Sequence, residues 1–401
     1  MVFAGIVVFL VLLFIAFLWI DPYLNAASIL MRVADPSATG VLARHDENAI
    51  AITPTMIAGP AGPIRAKIYT PIRVPNPPAI VVLHGVHHLG IEEPRLVNFS
   101  KALSTHGYLV MTPEMADLAD YHVERTAIDV IGYSARDLKR RTGANSVSVL
   151  GLSFAGGLAL VAAADPKYAN DIGVVASIGG YDDLGRVLRF YATNEIERPD
   201  GSVLKMTAHE YGILVVAYSH PEDFFPSKDV EAARDTLRLQ LYEKPAEAQA
   251  AAARLSPKSR ARMEQLLAHN TKVLSSDMLK ALADHPDEAN FVSPSGKLGD
   301  IKADVYLAHG AGDNVIPPSE TEWLARDVPK DRLKFVLISP VISHVELGGK
   351  PTWRDEFRLV NFMEEFLRDT RLRARTRFAP VGVQQQQMAV PQAPGTQPWS
   401  R

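Results

Sequence analysis

Apolar positions follow three rhythms along this chain. Over residues 2–20 they are unbroken: "VFAGIVVFLVLLFIAFLWI" holds no charged or strongly polar side chain. About 19 residues at roughly 1.5 Å each span about 28 Å, close to the hydrocarbon thickness of a bilayer. The run predicts a single transmembrane helix, with Trp19 and Tyr23 at the level of an aromatic belt, Asp21 marking the return to water and Pro22 helping to stop the helix. A cleaved signal peptide is the rival reading. The run is long for one, lacks a basic leader and has no small-residue cleavage site close behind it, so a retained anchor is expected. Arg32 and Arg44 follow the span and no Lys or Arg precedes it, which leans the body toward the cytoplasmic side.

Residues 21–47 read as a linker, and residues 48–180 as short segments bounded by Gly and Pro. "AIAITPTMIAG" and "IRAKIYTP" are alternating or β-branched, which predicts an antiparallel pair of strands. "AIVVLHG" (79–85), "YLVMTP" (108–113), "SVSVLG" (146–151) and "IGVVASIGG" (172–180) are short apolar runs, as expected of strands buried on both faces. Helical patterns stand between them: residues 92–105, a stripe of Val123, Ala127, Val130, Ile131, Ser134 and Leu138, and "FAGGLALVAAA". This alternation predicts an α/β fold with a doubly wound, mostly parallel sheet covered on both faces.

Residues 181–298 break the rhythm. They are largely helical and polar apart from the ambiguous "YGILVVAY" (211–218), and they read as a helical cap inserted into the sheet domain. Buried strands resume over residues 299–372 in "ADVYLAHG" and "LKFVLIS", with a helix over 318–326 between them and an amphipathic helix, "TWRDEFRLVNFMEEFLRDT", behind. Residues 373–401 are rich in Gln and Pro without periodicity, so disorder is expected there.

A hydrophobic fraction of 47% over 401 residues supplies a sizeable core. The net charge of −3 and the lack of a dense Lys/Arg block set nucleic acid aside as a partner. With no cysteine, disulfides, thiolate metal sites and a thiol nucleophile are excluded.

One stretch concentrates the chemistry. "VLGLSFAGGLAL" (149–160) places a lone hydroxyl, Ser153, where a strand meets a helix. The P-loop needs Lys after its last glycine and the dinucleotide fingerprint needs glycine where Ser153 stands, so neither phosphate-binding pattern fits. A nucleophile elbow fits, with Gly151 and Ala155 as the small neighbours of a strained turn; plain glycine-rich packing is the bland alternative. A serine hydroxyl reacts only if a base takes its proton and a third group orients that base. Asp313 in "YLAHGAGDNVIPP" and His344 in "VLISPVISHVELG" each follow a later strand, in the order Ser, Asp, His; Asp182 is the substitute acid. The oxyanion would meet the Phe154 N–H at the start of a helix and the Val86 N–H in the loop "LHGVHHLG", with Gly85 as the fallback donor. His84, His87 and His88 crowd that loop with too few geometries for a metal site, and His84 reads as a brace for the loop.

Taken in order, "VVLHG", "GLSFAGG", "HGAGDNVIPP" and "SHVELG" resemble the α/β-hydrolase superfamily over roughly residues 48–370, the cap excluded. The resemblance implies a Ser153–His344–Asp313 triad, an eight-stranded sheet or nearly so, and a cap between the sixth and seventh strands. The activity expected is hydrolysis of carboxylic esters, carboxylesterase or lipase-like, through an acyl-enzyme. The substrate would be a small-molecule or lipid ester, no metal or organic cofactor is called for, and the bilayer is a partner through residues 2–20. An acyltransferase using the same triad and an inert membrane-tethered binding module are the competing readings.

Overall fold

The computed structural model describes residues 19–343, 346–347 and 352–375. All but the last two residues of the expected transmembrane run, and all but residues 373–375 of the expected disordered tail, lie outside the described residues. Among the described residues no helix is long and apolar enough to cross a membrane.

Helix α1, described over 19–34, precedes the hairpin β1 (Ile50–Gly59) and β2 (Gly62–Pro71). Strand and helix then alternate through β3 (Ala79–Leu83), α2 (Pro94–Thr105), β4 (Leu109–Pro113), α3 (Ala116–Ala119), α4 (Arg125–Thr142), β5 (Val147–Leu152), α5 (Phe154–Ala164) and β6 (Ile172–Ile178). A largely helical stretch follows: α6 (Leu184–Thr193), a small hairpin of β7 (Glu195–Glu197) and β8 (Val203–Lys205), then α7 (Glu210–Ser219), α8 (Val230–Leu241), α9 (Pro245–Ala252), α10 (Pro257–Leu267), α11 (Ser275–Asp284) and α12 (Pro286–Val292). The chain returns to the sheet with β9 (Asp304–Gly310), α13 (Ser319–Asp327) and β10 (Leu333–Ser339), and ends its described part with β11 (Ile342–Ser343), β12 (Glu346–Leu347) and α14 (Trp353–Arg375).

Eight strands form one sheet in the order β1-β2-β4-β3-β5-β6-β9-β10. Antiparallel pairing is confined to β1 with β2 and β2 with β4, and every other neighbour is parallel. Because β1 is an edge strand, Pro54 costs it no ladder bond on the open side. All residues of β3 and β9 are buried, the reason these strands read as continuous apolar runs. Successive residues serve opposite faces: Val81, Leu83, Val149 and Val175 join the core under α4 and α5, whereas Ile80, Val82, Leu150 and Val174 join the core under α2 and α14.

One expectation is corrected and one ambiguity is resolved. Residues 21–34 are helix rather than linker, and neither Asp21 nor Pro22 ends it. Ala26, Ile29, Leu30 and Val33 recur at helical spacing and pack into the second core, and Ser28 Oγ meets His106 Nε2 at 2.8 Å. Burial of that stripe outweighs the local stop signal. The ambiguous 211–218 run is α7, apolar all round because core and inserted helices enclose it.

A buried ionic cluster fastens the root of the inserted stretch. Arg186 of α6 bonds Asp182 Oδ2 at 2.8 Å and Glu320 Oε1 at 2.6 Å, and its guanidinium lies 4.3 Å from the Trp323 ring centroid. Glu320 Oε2 also accepts the Asp182 and Asp183 amides, so α13 holds the first turn beyond β6. Two enclosed carboxyls share one guanidinium. Burial, with the Glu320 charge beside it, pushes the Asp182 carboxyl up to about 7.

A folded value raised above the unfolded value of about 3.9 favours the protonated form, so this stabilisation is present at acid pH and is lost as pH rises through about 7. Between pH 5 and pH 8, wild-type unfolding free energy should therefore fall roughly 1–2 kcal/mol more than that of Asp182→Asn, measured by urea denaturation at both pH values. Parallel pH dependence of the two proteins would refute the assignment.

Candidate active site

Ser153 occupies the turn between β5 and α5 with φ 55° and ψ −133°, a region that non-glycine residues rarely enter. Two backbone bonds hold it: its amide donates to the Ile178 carbonyl, and its carbonyl accepts from the Gly156 amide, both at 2.8 Å. A Cβ at Gly151 would collide with the Ala155 carbonyl, and one at Gly156 with the Ser177 hydroxyl. The close approach of helix and strand therefore falls on Gly151 and Gly156, while Ala155 is accepted with its methyl fully buried. The elbow pattern points to position 155, whereas the contact that requires glycine is one residue later.

Parallel strands deliver their following loops to one edge of the sheet. The loops after β3, β5, β6 and β9 carry Gly85 and Val86, Ser153, Asp182 and Asp313. Ser153 lies in a cleft of about 610 Å³ whose walls include His84, Gly85, Val86, Glu93, Tyr211 and Glu243. Gly85 is its neighbour across the cleft floor, since a Cβ there would stand 3.4 Å from the Ser153 Cβ. Phe154 begins α5, where the first amides have no acceptor within the helix.

His84 orients the loop. Its Nε2 accepts the Met115 amide at 3.0 Å, which places the ring proton on Nδ1, 2.8 Å from the Gly85 carbonyl oxygen. Burial keeps this imidazole neutral by lowering its pKa. The Gly85 carbonyl and the Val86 amide belong to one trans peptide and point in opposite directions. By holding the carbonyl, His84 sets the direction of the Val86 N–H, and Tyr211 holds the next unit with its hydroxyl 2.5 Å from the Val86 carbonyl.

Asp313 is buried in the loop after β9. Its Oδ1 accepts the Val315 and Ile316 amides at 2.9 and 3.0 Å, and His309 Nε2 lies 3.5 Å from Oδ2. His309 is itself anchored by Thr321 Oγ1 and the Ile316 carbonyl. Tyr191 escaped sequence reasoning: its phenol is buried and its pKa is driven well above the usual value by burial and then by the Asp313 charge. Nothing in "RFYATN" signals that proximity. His344 lies outside the described residues, as do the four residues following Leu347. Asp182, the substitute acid, is engaged by Arg186 in the cluster at the root of the insertion.

The other loop histidines are structural neighbours. His87 stacks on His88 and His88 on Tyr242, each pair with centroids 4.6 Å apart, and Tyr121 bridges His88 Nδ1 and the Leu241 carbonyl. Among the described residues no group of three His, Cys, Asp or Glu side chains could hold a metal ion. A second cavity, about 310 Å³ and mostly apolar, lies beyond Phe154 and is lined by Leu188, Tyr191, Val215, Met278 and Val292.

No protein-family model matches the chain, and no curated protein matches it. Among solved structures it is similar to a Mycobacterium tuberculosis puromycin-hydrolyzing peptidase, at 14% identity and a TM-score of 0.45, over 83% of this chain and 40% of that one. It is also similar to brefeldin A esterase, a bacterial homologue of human hormone sensitive lipase, at 15% identity and a TM-score of 0.45, over 89% and 87% of the two chains. A third is Porphyromonas gingivalis dipeptidyl peptidase 4, at 10% identity and a TM-score of 0.46, over 80% and 36%. The chain thus spans 40% and 36% of the length of the two peptidases.

Proposed function

We propose that this chain is a serine hydrolase of carboxylic esters, tethered to a bilayer through residues 2–20. The observation that carries the reading is the strained Ser153 turn at the floor of a cleft, on the same sheet edge as the Asp313 carboxylate, which accepts two backbone amides. In the proposed reaction Ser153 Oγ attacks the ester carbonyl carbon as His344 takes its proton. The tetrahedral oxyanion is met by the Phe154 N–H and by the Val86 N–H, with the Gly85 N–H as the fallback. His344 then gives the proton to the departing alcohol, leaving an acyl-serine. Water attacks that acyl carbon as His344 removes its proton, and as the intermediate collapses His344 passes that proton to the departing Ser153 Oγ, releasing the acid and regenerating the hydroxyl and the neutral imidazole. Asp313 holds the imidazole in the required tautomer. The chemistry needs no metal and no organic cofactor.

The two cavities suggest how a substrate divides. Glu93, Arg95 and Glu243 make the cleft at Ser153 suited to a polar portion, and the apolar cavity beyond Phe154 suits a hydrocarbon portion. A small-molecule ester and a lipid ester both meet that description, and a series of chromogenic esters of graded acyl length would rank them.

A fluorophosphonate probe should label the wild type and leave Ser153→Ala unlabelled, with ester-hydrolysis kcat falling by about 10⁴-fold or more while the melting profile is retained. Equal labelling of the two proteins would sink the nucleophile assignment. Replacing the loop brace, His84→Ala, should lower kcat by about 10- to 1,000-fold with little change in KM, because the Val86 donor would lose its aim. An unchanged kcat would remove that peptide from the oxyanion site.

A further inference from the structure

An exposed aromatic patch joins α1 to α14. Trp19 and Tyr23 are spaced i, i+4 on α1, and Trp353 and Phe357 have the same spacing on α14, so each pair shares a helix face. Tyr23 and Phe357 stack with centroids 6.3 Å apart and planes 5° from parallel, which brings the two stripes together. Trp19 is 75% exposed, Trp353 71% and Phe357 56%, and Ile20, next to Trp19 in the chain, is exposed as well. Large apolar side chains gathered on the surface mark a place where water is to be displaced. The patch composition narrows what displaces it: tryptophan and tyrosine pair an apolar body with a polar edge, which suits the boundary between headgroups and acyl chains. Arg354 lies 5.3 Å from the Trp353 ring centroid and puts a cation at the rim, while the Asp355 carboxylate is taken up by the Thr352 amide and hydroxyl. The sequence leading into Trp19, "VFAGIVVFLVLLFIAFL", is wholly uncharged and arrives at a member of the patch.

We infer that this patch is a lipid-interface contact, in which Trp353 and Phe357 enter the headgroup region of a bilayer beside Trp19 and Tyr23. The inference rests on the tether proposed above and adds a second attachment, on an element more than 300 residues away in sequence. A single attachment leaves a domain free to swivel, whereas two determine the face it presents. The opposite end of α1 carries Val33 and Ala34 into the wall of the Ser153 cleft. At about 1.5 Å per residue, residues 19–34 cover about 22 Å, so the patch would hold the cleft wall within about that distance of the interface.

The test uses the full-length chain with phosphatidylcholine–phosphatidylglycerol vesicles carrying brominated acyl chains. Flotation reports the tether, and the difference in quenching between wild type and Trp353→Phe reports the second contact. The expected result is co-flotation, with the Trp353 contribution quenched about twofold more strongly by shallow bromines than by deep ones, as an interfacial indole requires. Co-flotation without quenching of Trp353 would overturn the second contact and leave the tether standing. Failure of both readouts would overturn the two together. Shielding of Trp353 that grows with protein concentration in the absence of lipid would assign the patch to a second copy of the chain and overturn the lipid contact.

Discussion

The close approach of α5 to the sheet is the constraint on which the site depends. It forces Ser153 to φ 55°, at a cost of about 1–3 kcal/mol for a non-glycine residue held in a sparse region. Ten of the eleven residues of α5 are buried, and one fully buried Leu or Val contributes about 1.5–3 kcal/mol. Leu158, Leu160 and Val161 together exceed the strain, so the turn is held by the packing of the helix behind it. That packing is possible only because Gly151 and Gly156 remove the side chains that would hold helix and strands apart.

Once this helix is seated, the remaining groups are organised by loops at the same edge. His84 is neutral and buried, and its two nitrogens join the Met115 amide to the Gly85 carbonyl, so one imidazole ties the loop after β3 to the loop after β4. Asp313 is gripped by the amides of its own turn, with His309 beside its other oxygen. The Asp182–Arg186–Glu320 cluster secures the point where the inserted helices leave the sheet. Each of these is a buried polar arrangement, costly if broken and therefore able to specify one geometry.

Much of the fold was legible because its strands are short and dry. "AIVVL" and "DVYLAHG" are buried throughout and could be recognised without a partner in view. The segment 21–34 was misread as a linker because Asp21 and Pro22 are strong local stop signals, although Ala26, Ile29, Leu30 and Val33 already showed helical spacing. The 211–218 run was ambiguous because enclosure on all sides erases the periodicity that separates helix from strand.

By itself the sequence determined the order of the buried strands of the sheet, the lone hydroxyl after one of them and the placing of Asp313 after a later one, since each depends on patterns within a few residues. Tertiary structure decided which small residues bear the helix–strand contact, that Asp182 is engaged by Arg186, that the Asp313 charge is felt at the buried Tyr191 phenol, and that aromatics of α1 and α14 meet. Those facts join positions tens to hundreds of residues apart, and no local pattern encodes a distance between elements until the sheet brings them together.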